Sequence, residues 1–263
     1  MKEINSEELK QIQIGLINEF DKICRENNLK YSAGGGTLLG AVRHKGFIPW
    51  DDDVDVVMPR DDYEKLLNLK FENENFAVMS HRYCRNYYYS FAKLIDKKTL
   101  LLEKNRPEKT MGVYIDIFPL DYVEKNDDKF QKDMKKELKM RKFLDHLTSN
   151  PVSNGSKDYK FIFKKFVHFF SDPFRKAILN SVDKKHIQKS GKYCINFVYN
   201  FRGSKQLVES KIWDELEYLD FEDTKILCFK DYDTFLSALY GDYMMLPPKE
   251  KQIAHHSFEA YFK

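Results

Sequence analysis

The segment Phe47–Pro59, FIPWDDDVDVVMP, sets Asp51, Asp52, Asp53 and Asp55 within five positions and runs straight into the apolar Val56-Val57-Met58. No other stretch restricts the fold as tightly, because a chain that buries the valines must also accommodate the acids. In extended backbone, residues two apart share a face, so Asp51, Asp53 and Asp55 project together while Val54 and Val56 point the other way. Asp52, on the opposite parity, is expected to be the least involved. Like charges at this spacing repel unless a cation neutralises them. Hard carboxylate oxygens on a strand suit Mg²⁺ or Mn²⁺, whose remaining coordination positions take water and phosphate oxygens. The expected partner is a metal-bound phosphate. The alternative is a solvated acidic loop, but such a loop rarely opens on Pro-Trp and enters a core strand directly. An EF-hand is excluded, because Val56 stands where that loop needs glycine and Asp62 where it needs a bidentate glutamate.

The flanks support a phosphate site. Gly34-Gly35-Gly36-Thr37 lies between a strand candidate over 29–33 and a short helix over 37–42, so it offers free backbone N–H groups and a helix N-terminus. It matches neither a P-loop nor GxGxxG. Arg43, His44 and Lys45 follow, as cations for a polyphosphate or as an ordinary basic helix end. Further on, Tyr114–Asp121, YIDIFPLD, sets Asp116 inside an apolar strand, where a carboxylate needs a partner. Asp116 is a candidate third metal ligand or the base that activates a hydroxyl, whereas Asp121 fits a capping acid. Lys93, in SFAKLI, either meets a phosphate or stands exposed on its strand.

Hydrophobic periodicity organises the rest as an α+β fold. Leu9, Ile12, Leu16, Ile17, Phe20, Ile23 and Cys24 at helical spacing, after Asn5 and Ser6, predict a helix over 6–28. A second helix is expected over 61–69, and strands over 54–58, 76–79, 87–95 and 113–118, the last closed by Pro119. From 126 to 147 dense charge with apolar residues at helical intervals predicts a helical insertion. Residues 157–170, KDYKFIFKKFVHFF, either lie on an anionic membrane surface or dock on the core. The expected division is a catalytic core over 1–122, a helical, basic and aromatic insertion over 123–190, and a mainly helical C-terminal part over 191–263 that completes the site.

At 263 residues and 42% hydrophobic content the chain can bury a sizeable core. Its formal charge of +3 gives no whole-chain signal for nucleic acid, and none is expected as a partner. Cys24, Cys84, Cys194 and Cys228 form no CxxC pair, which argues against zinc or a disulfide framework and for a reducing cytoplasm. No run of about 18 apolar residues is present to span a membrane.

A Gly-Gly-Gly-Thr turn, an Asp-x-Asp strand and a later strand acid together resemble the nucleotidyltransferase fold. The longer text GGGTLLGAVRHKGFIPWDDDVDVVMPRDDYEKL, supported by FAKLIDKKTLLLE, GVYIDIFPLDYV and YGDYMMLPPKEKQIAHH, resembles the LicD family of phosphocholine transferases, related to fukutin and fukutin-related protein. The resemblance implies a mixed β-sheet core flanked by helices and transfer of a phosphorylated alcohol, typically phosphocholine from CDP-choline, onto a glycan hydroxyl with a divalent metal. It implies a cell-surface glycan precursor as acceptor, teichoic acid or lipopolysaccharide, lipid-linked and met at the inner face of the membrane. Ribitol or glycerol phosphate from a CDP derivative, and nucleotidyl transfer from an NTP, are the alternatives. Asp51, Asp53, Asp55 and Asp116 fall on the family's acidic positions. Gly36 and Thr37 fall in its turn, and Arg43, His44, Lys93, His255 and His256 in or beside its other signatures. A quaternary ammonium is held against aromatic faces, for which Trp50 is the foremost candidate, then Tyr87, Tyr88 and Tyr89.

Overall fold

The computed structural model describes residues 1–84, 87, 89–103, 111–124, 126–148, 174, 176–187, 190–198, 206–253 and 258–263. Tyr88, the segment 157–170 and the His255-His256 pair lie outside them. After strand β1 (Lys2–Glu3), helix α1 (Ser6–Glu26) starts at Asn5, which accepts from the Glu8 N–H while the Glu8 side chain returns to the Asn5 N–H. This reciprocal cap holds the helix start, and α1 buries Leu9, Leu16, Ile17, Phe20 and Ile23 as their spacing predicts. Then come β2 (Ser32–Ala33), α2 (Gly35–His44), β3 (Asp55–Pro59), α3 (Arg60–Leu69), β4 (Phe76–Met79), β5 (Ala92–Asp96), β6 (Thr99–Glu103) and β7 (Tyr114–Val123). The chain continues through α4 (Asp128–Thr148), α5 (176–186), β8 (Tyr193–Ile195), β9 (Val208–Glu209), β10 (Leu216–Phe221), β11 (Thr224–Phe229), α6 (Tyr232–Tyr240) and β12 (Phe258–Phe262).

The central sheet runs β2-β3-β7-β5-β4, and β8 and β9 extend it along the end of β7. The β3–β7 pair is parallel and the other ladders are antiparallel, so the fold is a mixed α+β one. Helix α1 packs on β5, β7 and β11, and α3 on β3 and β7. Strand β12 joins the two ends of the chain by pairing β1 on one side and β6 on the other.

Three expectations are corrected. The C-terminal part is largely β: Leu216–Phe221 and Thr224–Phe229 form a hairpin, and α6 is the main helix among its described residues. In β11 the burial of Ile226 and Cys228 follows the two-residue period of a strand. Strand β7 does not stop at Pro119. Pairing with β5 ends at Ile117 and pairing with β8 begins at Asp121, so the proline lies where that edge of β7 carries no ladder and its missing N–H costs nothing. The strand expected over 87–95 begins only at Ala92; before it, the Tyr87 hydroxyl donates to the Phe91 carbonyl (2.7 Å).

Asp121 is not a capping acid. It is fully buried against the equally buried Arg60, whose Nε donates to it at 2.5 Å. Around this pair Arg141 of α4 meets Asp183 of α5 at 3.1 Å, and His186 meets Glu137 at 2.7 Å. Met134 packs with Ile195 and Phe197, fixing α4 on β8. Charges this deep are tolerated because each faces an opposite one.

Candidate active site

The register of three neighbouring strands builds the floor of the site. Asp55 of β3 pairs with Asp116 of β7, and Asp116 pairs with Lys93 of β5, so acid, acid and lysine stand in one row across the sheet. Residues in register share a face. The Lys93 ammonium contacts Asp116 Oδ1 and is almost fully buried, at 1% exposure. The rings of Tyr114 (3.2 Å to the centroid), Tyr89 (4.1 Å) and Phe91 (5.2 Å) surround it. Lys93, expected to meet a phosphate or solvent, therefore turns to Asp116. The Tyr89 ring is spent on this lysine and the Tyr87 hydroxyl on backbone, so both tyrosines serve the protein's own packing.

The glycine turn is stapled to Asp55 by its backbone. The Asp55 N–H donates to Thr37 Oγ1 (2.8 Å), and the Asp55 carbonyl accepts from the Gly34 N–H (2.9 Å). Thr37 is buried and holds the start of β3. Gly34 caps α2 without any side-chain hydrogen bond, which leaves the N–H groups of the first turn directed at the acids. Gly35 has φ +46°, a left-handed conformation suited to glycine. A methyl group at Gly36 would stand 2.5 Å from Asp51 Oδ2, so this carboxylate approaches the helix end only because no side chain intervenes.

Asp51, Asp53 and Asp55 open together into a cleft of about 650 Å³. Its other walls carry Gly36, Arg43, Trp50, Tyr240, Tyr243 and Lys251. Arg43 donates through Nη1 to the Tyr243 carbonyl (2.7 Å) and through Nε to His44 Nε2 (2.9 Å), tying α2 to the segment after α6. Burial, then the charge of Arg43, holds the His44 imidazole below its usual range, consistent with the neutral ring that accepts this bond. His44 also meets the edge of Trp50, 6.3 Å between centroids. Desolvation, then the charges of Asp53, Asp116 and Asp51, pushes the Asp55 carboxyl well above the carboxylate range, with Lys93 opposing. Burial raises Asp116 too, while Lys93 pulls it back.

Asp51, Asp52 and Asp53 each bring a carboxylate oxygen within 4.8 Å of the others, close enough to share one cation. Regular strand begins only at Asp55, so the parity argument does not extend to the three residues before it. Asp52 is thus closer to its neighbours than the alternation predicts. Its carbonyl accepts from Gln13 Nε2 (2.9 Å) of α1, and its side chain lines a separate groove. Tyr240, Tyr243 and Lys251 are wall residues that the sequence argument did not single out, although they lie in the quoted YGDYMMLPPKEK segment.

Residues 28–154 match the family model described as LicD/FKTN/FKRP, nucleotidyltransferase domain. The chain is 30% identical over 267 residues, 99% of both chains, to lipopolysaccharide cholinephosphotransferase LicD of Haemophilus influenzae. Uncharacterized proteins of Rickettsia typhi and Rickettsia prowazekii are 26% and 27% identical over 176 residues, covering 65% of this chain and 52% and 62% of theirs. The match along the full length shows that this chain belongs to the LicD family of phosphotransferases, and its core is a nucleotidyltransferase domain.

Proposed function

We propose that this protein transfers phosphocholine from CDP-choline to a hydroxyl of a cell-surface glycan precursor and releases CMP. The observation that carries the reading is the cleft itself. Arg43 and Lys251 face Asp51, Asp53 and Asp55 at the N-terminus of α2, and Trp50, Tyr240 and Tyr243 stand in the same walls. The first group suits a diphosphate with its cation, and the rings suit a quaternary ammonium. The name of the Haemophilus influenzae relative, a lipopolysaccharide cholinephosphotransferase, supports choline as the alcohol and such a glycan as the acceptor.

Carboxylate oxygens on a preformed frame suit Mg²⁺ or Mn²⁺; among the described residues Asp51, Asp52 and Asp53 stand close enough to share one such cation, and the charges of Asp53, Asp116 and Asp51 bear on the neighbouring Asp55. Asp53, Asp55 and Asp116 would hold the metal, with Asp51 at its edge. Once bound, it supplies neutralisation of the diphosphate charge. Arg43 and Lys251 orient the diphosphate, and the α2 amides stabilise its oxygens. The acceptor oxygen forms a bond to the choline-bearing phosphorus as the bond from that phosphorus to the bridging oxygen breaks, its electron pair leaving with CMP. The hydroxyl proton passes to a carboxylate. Asp51 is favoured for this over Asp116, since Asp51 lines the open cleft while Asp116 is engaged by Lys93.

The test is incubation with CDP-choline, CDP-ribitol, CDP-glycerol or CTP in the presence of Mg²⁺. CMP released preferentially from CDP-choline supports the reading. Preferential release from another CDP-alcohol would move the assignment to that alcohol, and pyrophosphate from CTP would move it to nucleotidyl transfer.

A further inference from the structure

A second groove, of about 320 Å³, lies against the donor cleft. Its walls are the β1–β12 ribbon, the first turn of α1 and the segment Pro49–Asp52. Among the described residues, Trp50 and Asp51 line both the groove and the cleft, so they form the partition between them. We propose that the groove holds the sugar whose hydroxyl accepts the phospho-alcohol, with Asp51 reached by the donor from one side and by the acceptor from the other. The proposal rests on the reading of the cleft as a donor site.

Charge separates the two spaces. Among the described residues, Glu3, Asp51, Asp52 and Glu259 line the groove beside a single basic side chain, Lys10, a charge balance that disfavours an anionic nucleotide. A neutral polyol is not. Carboxylates accept hydrogen bonds from sugar hydroxyls, and the indole of Trp50 offers an apolar face to a pyranose ring. The volume is at the small end of ligand pockets, suited to the end of a short glycan.

The walls are fixed in advance. The Ile4 N–H donates to the Ala260 carbonyl (2.8 Å), Lys2 and Glu3 pair with Phe262 and Tyr261, and Gln13 holds the Asp52 carbonyl (2.9 Å). A preformed groove pays little ordering entropy on binding, as a weakly interacting neutral sugar requires.

Saturation-transfer NMR of the full chain with methyl glycosides of neutral hexoses and N-acetylhexosamines, and separately with CDP-choline and Mg²⁺, tests the assignment. Wild-type protein is expected to give glycoside signals that Ser6→Trp, which fills the groove, and Glu259→Lys, an exposed change on β12, each weaken by about tenfold. The CDP-choline signals should be unchanged in both, and their persistence reports that the variants are folded. Absence of glycoside signals from wild type, or their full retention in both variants, would overturn the proposal. Wild-type glycoside signals lost in both variants, with no Mg²⁺-dependent CDP-choline signal, would support the groove and instead count against the donor reading.

Discussion

Asp55 and Asp116 stand in register across the parallel β3–β7 pair, so the two carboxylates share one row of the central sheet. Lys93 closes that row on the Asp116 side, and the other side opens to Asp51 and Asp53 in the cleft. The charges of Asp53, Asp116 and Asp51 all raise the Asp55 carboxyl and Lys93 opposes them, so burial and like charge both weigh against an ionised Asp55 in the metal-free fold.

Asp55→Asn keeps the shape of the side chain and removes its charge. Gaining about 1 kcal/mol, the metal-free variant should melt about 2–4 °C above wild type. Mg²⁺ should raise the wild-type melting temperature and leave the variant nearly unmoved. A lower melting temperature for the metal-free variant would show that the Asp55 charge is not under strain.

Lys93→Met leaves Asp116 buried beside like charges without its cation. Breaking one side of such a pair costs about 3–5 kcal/mol, and Lys93→Met with Asp116→Asn should recover most of it. Urea denaturation of the two single variants and the double variant measures the coupling. Additive losses would mean that Lys93 acts through packing on Tyr114 and Tyr89 alone.

Gly36→Ala forces Asp51 Oδ2 away from the α2 N-terminus, because the added methyl would lie 2.5 Å from it. The end of a carboxylate can move, so stability should change little while turnover falls by about 10²-fold through misplacement. Steady-state kinetics with a melting curve on the same preparation would separate the two effects.

The buried ionic cluster sets an acid limit. Burial alone would raise the Asp183 carboxyl, but His81, Arg141 and Arg60 outweigh it and hold the group well below the carboxylate range. A depressed pKa contributes stability that is fully present above the unfolded value, about 3.9, and is lost as pH falls below it toward the folded value. Wild-type stability should therefore drop steeply from about pH 4 downward. Asp183→Asn should be less stable at neutral pH and show a shallower acid slope, read from urea midpoints at each pH. An unchanged slope would place the acid sensitivity elsewhere.

The legible parts of the fold are those where local pattern and local chemistry agree. Helix α1 follows its apolar stripe between the Asn5 cap and Asn27, and β3 ends at Pro59 where α3 begins. The hairpin β10–β11 is hidden in the sequence because its strands carry Asp220 and Lys225 on exposed positions and Glu217 on a half-buried one, which resemble a charged helix face. The partners of Asp55 were legible as residue types and not as a row. Register between strands far apart in sequence is set by the assembled sheet and not by any local spacing. Lys93 shows the same limit, since only the tertiary fold places Tyr89 and Tyr114 around its ammonium. Asp52 was set apart by a strand alternation that begins only later in the chain.

The central claim is that Asp53 and its neighbours are a metal-dependent donor site. Its most direct test is CMP release from CDP-choline by Asp53→Ala under saturating Mg²⁺, alongside the circular dichroism spectrum of the same sample. The account predicts a native spectrum with turnover reduced by about 10²–10³-fold or more. A folded Asp53→Ala protein with near-wild-type turnover would contradict it.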